Sequence, residues 1–291
     1  MLTYPQLTAA EQANLPKLLA KPTAIPSKFD DSTHLVWHCQ TADGEMILKV
    51  CNQATVAQSS FWLGLNHLFG ADFPVNLGSI GQTHDFLAQN GALNVPAYVA
   101  SAPKRYVLTR FLTGVDLEAG QINDAQVIAL ANHIARLHQR ANTHWGNLHA
   151  PAFASNDWGN RLHATLRYLV AQRGLQIADS LISTILLQAS HIKETAFVPM
   201  MLDLRWDQLR SVDDGKLALI DLDAFVTAPK SLDLVLLQYV LSPADWILFK
   251  AQYCQTQAWP DYTQQKPCYQ LLLFLMNMLG ETDLTCWMNR I

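Results

Sequence analysis

Charge is scarce in this chain and nowhere bunched: 15% of residues are Asp, Glu, Lys or Arg, the formal net charge is -4, and no lysine or arginine run occurs. A protein that grips nucleic acid needs a basic stripe against the phosphates, so that class is excluded. Cysteine is equally thin. Cys39, Cys51, Cys254, Cys268 and Cys286 are odd in number, widely spaced and free of any CxxC pair, so neither a disulfide framework nor a thiolate zinc site is indicated and reduced core thiols are expected. The histidines form no HExxH pattern, which removes that metalloprotease class. No apolar run approaches bilayer length; the longest late one, Leu271 to Leu279, is interrupted by Asn277. The opening MLTYPQLTAAEQANLPKLL has no basic region followed by an apolar one, so it does not read as a signal peptide, and a cytoplasmic location away from membranes is expected. Internal repeats and low-complexity tracts are also absent.

What the chain has is apolar mass. Half of its 291 residues are hydrophobic, enough for a sizeable core, and the length suits two lobes. Thr8 and Glu11 form a capping-box pattern for a helix over Thr8 to Leu19. From Lys28 to Asn52 the apolar period is two, with Leu35, Trp37 and Cys39 before an Asp43-Gly44 turn and Met46, Leu48 and Val50 after it; a hairpin follows. Lys49 falls on the opposite face of the second strand. A helix over Gln58 to Phe69 with Gly70 as its C-terminal cap, a helical piece over Thr83 to Gln89, an extended piece over Ala97 to Ala100 and a strand over Lys104 to Leu112 complete a sheet-rich first part. Beyond Gly114 the spacing turns helical: from an Asp124 N-cap to about Arg140, then Asn160 to Gln172, Asp179 to Lys193, Leu232 to Leu241, Pro243 to Tyr253 and Tyr269 to Leu279. The expected architecture is α+β and two-lobed, with residues 1–113 as a small antiparallel-sheet lobe and 114–291 as a larger helical lobe.

The stretch richest in chemistry is Phe197 to Phe225, FVPMMLDLRWDQLRSVDDGKLALIDLDAF. An apolar run delivers Asp203, a polar loop reaches Gln208, and an Asp214-Gly215 turn precedes a second apolar run that delivers Asp221. Asp-Gly between apolar segments is a strong two-residue hairpin signal. With those two residues as the loop, Val212 faces Leu217, Leu209 faces Ile220, and Gln208 faces Asp221, bringing an amide oxygen and a carboxylate together beside Asp203. Oxygen clusters at strand ends are costly to bury unless paired, and a divalent cation is a common partner. Asp223 is read either as a second metal ligand or as a solvent-exposed neighbour on the other face of the strand. Arg205 is read as an anion-binding guanidinium or as an internal ion pair that stiffens the loop. Trp206 either walls a substrate pocket or packs internally. His133 and His138 are read as helix-packing or surface residues.

A strand lysine, a strand before the lobe boundary, the helix text ANHIARLHQ, and then an Asp-x4-Gln-hairpin-Asp unit occur in an order that resembles the protein-kinase-like phosphotransferases of the aminoglycoside phosphotransferase and choline kinase group, as a divergent member. The core pattern there is approximately HGDxxxxN, a hairpin, then IDxxxA. The matching text here is Met201-Leu202-Asp203, Gln208 and Ile220-Asp221-Leu222-Asp223-Ala224. The resemblance runs in order from Lys49 to SLDLVLLQY, whose Asp233 matches the acid that braces the catalytic loop. It implies transfer of the γ-phosphate of ATP or GTP to a hydroxyl of a small molecule, with Mg²⁺. Carried over, Asp203 orients or deprotonates the acceptor hydroxyl with Arg205 close by, and Lys49 holds the α- and β-phosphates. Asp221 binds the metal, with Gln208 and Asp223 as further ligands. The backbone of Thr109, Arg110, Phe111 and Leu112 makes the adenine-facing edge.

The chain departs from this pattern in four places. Gln208 replaces the metal-binding Asn, Met201-Leu202 replaces His-Gly, no glycine-rich loop lies between Lys28 and Thr33, and no glutamate occurs between Glu45 and Glu118 to pair with Lys49, for which Asp72 or Asp85 is a substitute. An alternative function is therefore a pseudokinase-like nucleotide-binding or regulatory module that kept the fold without transfer; a remoter one is nucleotidyl transfer. The acids available to hold a cationic acceptor, Asp157, Asp245, Asp261 and Glu281, are scattered, and neither the acceptor nor the oligomeric state is readable.

Overall fold

The structure is a computed structural model that describes residues 2–28, 32–118, 120–175, 180–212 and 215–291. In the first part a single-turn helix α1 (Ala9–Gln12) precedes strands β1 (Thr23–Ile25), β2 (His34–Thr41) and β3 (Gly44–Cys51). Helices α2 (Gln53–Gln58), α3 (Ser60–Phe69) and α4 (Ile80–Asn90) follow, then β4 (Tyr98–Ala102) and β5 (Tyr106–Arg110). Next come β6 (Val115–Asp116), α5 (Asp124–Leu137), β7 (His144–Asn147), β8 (Phe153–Ala154), α6 (Trp158–Gln172) and α7 (Ser180–Ala189). The chain closes with β9 (Phe197–Met201), β10 (Leu209–Ser211), β11 (Leu217–Leu219), β12 (Phe225–Pro229), α8 (Lys230–Val240), α9 (Pro243–Tyr253), α10 (Lys266–Leu275) and α11 (Leu284–Met288). Among the described residues no helix is long and apolar enough to cross a membrane.

The first five strands form one antiparallel sheet in the order β1-β2-β3-β5-β4. Period two splits its faces. Met46, Leu48 and Val50 join Cys39, Tyr106 and Leu108 in a small core that Tyr4, Leu7 and Leu18 of the N-terminal arm cover; each such aliphatic burial stabilises by roughly 1.5–3 kcal/mol. Lys49, flanked in register by Val36 and Val107, therefore faces the other way. The Thr8–Glu11 capping box forms, but α1 ends at Gln12, far short of Leu19. Asn123, not Asp124, caps α5 through the Gln126 N–H. The helix predicted from Asp179 begins at Ser180, and Asp179 itself lies outside the described residues.

The larger core draws on both sides of position 113. Leu65, Leu68 and Phe69 of α3 are buried with Trp145 and Trp158, whose rings meet edge-to-face at 4.7 Å. This packing ties a helix from the first part to the second. A second sheet, β8-β7-β12-β9, and a small third one, β11-β10-β6, complete the scaffold.

The hairpin register differs from the expected one by a residue. Leu209 pairs with Leu219 and Ser211 with Leu217, while the Val212 N–H donates to Lys216 O and the Ile220 N–H to Gln208 O. Gln208 thus stands opposite Ile220, not Asp221. The last bonded pair, Val212 and Lys216, leaves three positions between its members, so the loop is not the two-residue turn assumed. Gly215, at φ +72°, takes the left-handed conformation that a glycine favours; Asp214 lies outside the described residues.

Candidate active site

The functional carboxylates are assembled by a pairing that crosses the hairpin. β9 and β12 run antiparallel with Met201 opposite Phe225, and the Leu202 N–H donates to Ala224 O at 3.0 Å. Continuing that ladder by one residue sets Asp203 opposite Asp223. Both line a cavity of about 290 Å³ that also contains Lys49, His34, Arg205, Gln208 and Asp221. Met201 and Leu202, which replace the expected His-Gly, are buried, so apolar packing and one ladder bond hold the start of the loop that carries Asp203.

Lys49 Nζ lies 2.9 Å from Asp221 Oδ2 and donates to Ile220 O at 3.3 Å. Its partner is therefore the late aspartate itself, rather than Asp72 or Asp85. Burial alone would lower the Lys49 ammonium, but the carboxylates of Asp221, Asp223 and Asp203 outweigh it and the pKa rises. Burial pushes Asp221 upward, and Lys49, His34 and the Asp223 N–H more than reverse this, so Asp221 is held ionised, below its ordinary range. Asp223 goes the other way, to about 7, through burial and then repulsion from Asp221. It is 7% exposed, which removes the solvent-exposed reading. Opposite it His34 Nε2 comes within 3.4 Å of Asp223 Oδ2; burial, opposed in part by Asp221, pushes that imidazole down to about 4. The pair is not a salt bridge at neutral pH.

Arg205 Nε is 3.3 Å from both Asp203 Oδ1 and Asp207 Oδ1, so the guanidinium stiffens the loop while also lining the cavity. Gln208 Nε2 donates to Asp203 Oδ2 at 3.5 Å, the long limit for such a bond. Trp206 is buried and donates Nε1–H to Val240 O; it packs internally and does not line the cavity. Nor do Thr109 to Leu112. β5 is a central strand, so its end has no free edge: the Arg110 N–H goes to Ala97 O and the Phe111 N–H to Glu45 O, while Leu112 O accepts from Arg210 Nη1. Two donors of the expected adenine-facing edge are thereby consumed.

Two residues were missed by sequence reasoning. His34 shares its strand face with Val36, the register partner of Lys49, and that parity was the available signal. His138 was assigned no chemistry, yet it is the partner of Asp233: His138 Nε2 is 3.0 Å from Asp233 Oδ2 and Nδ1 lies 2.8 Å from the Tyr253 hydroxyl, all fully buried. No sequence spacing marks a contact between α5, α8 and α9.

Whether a divalent cation suits this cavity is decided by its donors. Asp221 Oδ1 and Asp223 Oδ2 are buried without a hydrogen-bond partner and both residues line the cavity. Hard carboxylate oxygens with unfilled acceptor capacity fit Mg²⁺. Among the described residues no group of three or more His, Cys, Asp or Glu encloses a metal.

The same arrangement of lobes occurs in solved phosphotransferases. A macrolide 2'-phosphotransferase from Brachybacterium faecium superposes with a TM-score of 0.60 at 15% identity, covering 96% of each chain. A choline kinase from Streptococcus pneumoniae gives 0.57 at 15% identity over 94% of this chain and 91% of its own. A spectinomycin phosphotransferase solved with ADP and spectinomycin gives 0.53 at 12% identity over 91% and 84%. These likenesses define the class, a two-lobed α+β kinase-like fold. A family model described as the phosphotransferase enzyme family matches residues 25–268, and the chain belongs to that family. No curated protein matches it by sequence.

Proposed function

We propose that the protein transfers the γ-phosphoryl group of ATP or GTP to a hydroxyl of a small molecule. The observation that carries this is the convergence of Asp203, Asp221, Asp223 and Lys49 on one cavity, through the β9–β12 ladder and the cleft-facing side of β3. Residues 1–113 supply the nucleotide-binding lobe and 114–291 the catalytic loop and metal-binding hairpin. Asp203 accepts the acceptor hydroxyl's proton, and Arg205 orients its carboxylate. Lys49 leaves Asp221 to contact the phosphates, and Asp221 with Asp223 holds Mg²⁺; Gln208 contributes by positioning Asp203. When bound, the cation neutralises phosphate charge, and the protein's own part is placement of groups rather than covalent chemistry. Structures of similar fold bound to ADP with spectinomycin, or to GDP with kanamycin, support a nucleotide in this cleft. A nucleoside triphosphate donor fits work in the cytoplasm.

The test is Mg-nucleotide-dependent thermal stabilisation followed by an ADP- or GDP-release assay over a panel of hydroxylated acceptors. Asp203→Asn should lose transfer by about 10³-fold or more while keeping nucleotide binding, and Asp221→Ala should lose the Mg-dependent stabilisation. Mg-nucleotide binding without transfer to any acceptor would leave a binding module in place of an enzyme. Product mass separates phosphoryl from nucleotidyl transfer.

A further inference from the structure

A second cavity, of about 530 Å³, adjoins the first. The two share Ser59, Phe61 and Asn277 in their walls, so they meet at the junction of α2 and α3 and the end of α10. They differ in character. The first cavity carries lysine, arginine and aspartate side chains; the second presents Thr55, Gln58, Ser59, Ser60 and Asn277 with the Phe61 ring, and among the described residues that line it none is ionisable.

We propose that this second cavity receives the acceptor and that the acceptor is an uncharged polyhydroxylated molecule, a sugar or polyol. The inference rests on the phosphotransferase reading above, since the charged end must take the nucleotide for the other end to be left to the acceptor. Three hydroxyls and two amides offer both donors and acceptors, which match the two-way hydrogen bonding of substrate hydroxyls. An aromatic face beside them suits the apolar face of a sugar ring. The volume lies within the range of small-molecule sites. A cationic amine placed against these described residues would lose water without gaining a carboxylate, a cost that favours an uncharged acceptor over a polycation. Of the described acids in the adjoining first cavity, Arg205 holds Asp203 and Asp207, Lys49 holds Asp221, and Asp116 faces Lys28 and Arg210. Asp157, Asp245, Asp261 and Glu281 are not in the lining of either cavity.

The experiment compares matched ligands on the Mg-nucleotide-saturated full chain. D-ribose, D-glucose and maltose are set against glucosamine, choline and kanamycin, with ligand-observed NMR for binding and nucleoside-diphosphate release for turnover. Saturable binding of an uncharged sugar is expected, with at least about 10-fold preference for glucose over glucosamine. Gln58→Leu should raise KM or Kd for the sugar about 10-fold with kcat within about twofold, and Gln58→Glu should shift preference toward glucosamine. Asn277→Gly, which keeps the left-handed backbone at φ +59°, is the second variant should Gln58→Leu fold poorly. Saturation by a cationic ligand at equal or higher affinity overturns the proposal, as does a panel in which no uncharged sugar saturates. Sugar binding that neither variant alters also overturns it, because the site is then elsewhere. The phosphotransferase reading fails by a separate sign: loss of Mg-nucleotide stabilisation in the wild type, which needs no acceptor.

Discussion

Removing the Lys49 ammonium while keeping its length, as in Lys49→Met, isolates the contact that joins the first sheet to the late aspartates. At 2.9 Å, and with an effective dielectric of about 20, the gross attraction is about 6 kcal/mol. Desolvation offsets most of this, because the Lys49 and Asp221 side chains keep 18% and 26% of their exposure. A net coupling of about 2 kcal/mol is expected, or roughly 4 °C in unfolding midpoint for a chain of this size. The pH dependence follows from the shifts: Asp221 is lowered and Lys49 raised. The pair's contribution is therefore fully present above the unfolded carboxylate pKa of about 4 and below the lysine range of about 10, and it is lost as pH falls through the depressed Asp221 value. Urea unfolding of the wild type, Lys49→Met, Asp221→Asn and the double variant at pH 8 gives the coupling energy directly. A cycle that closes within about 0.5 kcal/mol of zero would refute a coupled pair, and so would a double variant less stable than Lys49→Met.

Mg²⁺ alone, without nucleotide, should raise the unfolding midpoint of Lys49→Met more than that of the wild type, since the freed Asp221 no longer answers to an ammonium; a metal titration by calorimetric scanning checks this. His133 Nδ1 accepts the Ala92 N–H at 3.0 Å and the buried Leu93 N–H at 3.2 Å, so His133→Ala should cost about 2 kcal/mol by urea unfolding. Burial holds that imidazole down to about 4, below its unfolded value of about 6.5. The unfolded state thus takes the proton first, and stability should decline from pH 6.5 toward 4 with a shallower slope in the variant. His138→Ala strands the fully buried Asp233 carboxylate and should cost about 3–5 kcal/mol in the same assay, whereas His138→Ala with Asp233→Leu should recover part of that loss.

Period two around Asp43-Gly44 identifies β2 and β3 and puts Lys49 on the face opposite Met46, Leu48 and Val50, because strand parity is local. The order of apolar runs that deliver Asp203 and Asp221 is also legible, as are α3 with its Gly70 cap and α9 from Pro243 to Tyr253. The hairpin register is not: two and three loop residues differ by one position of pairing, and Asp-Gly is compatible with both. The hydrogen bonding at the end of β5 is not legible for a related reason. Whether the Arg110 and Phe111 N–H groups face a ligand or a neighbouring strand depends on which strands flank them, and that is a long-range fact.

The sequence by itself determined which residues carry charge into an otherwise apolar stretch, and that Lys49 lies on the strand face opposite Met46, Leu48 and Val50. Only the tertiary structure decided their partners. Lys49 meets Asp221, Asp203 comes opposite Asp223 through β9 and β12, and His138 reaches Asp233 from another helix. The physical reason is the range of the interactions. Side-chain alternation and capping act over a few residues, whereas burial and charge pairing act between segments that approach only when the two cores close around them.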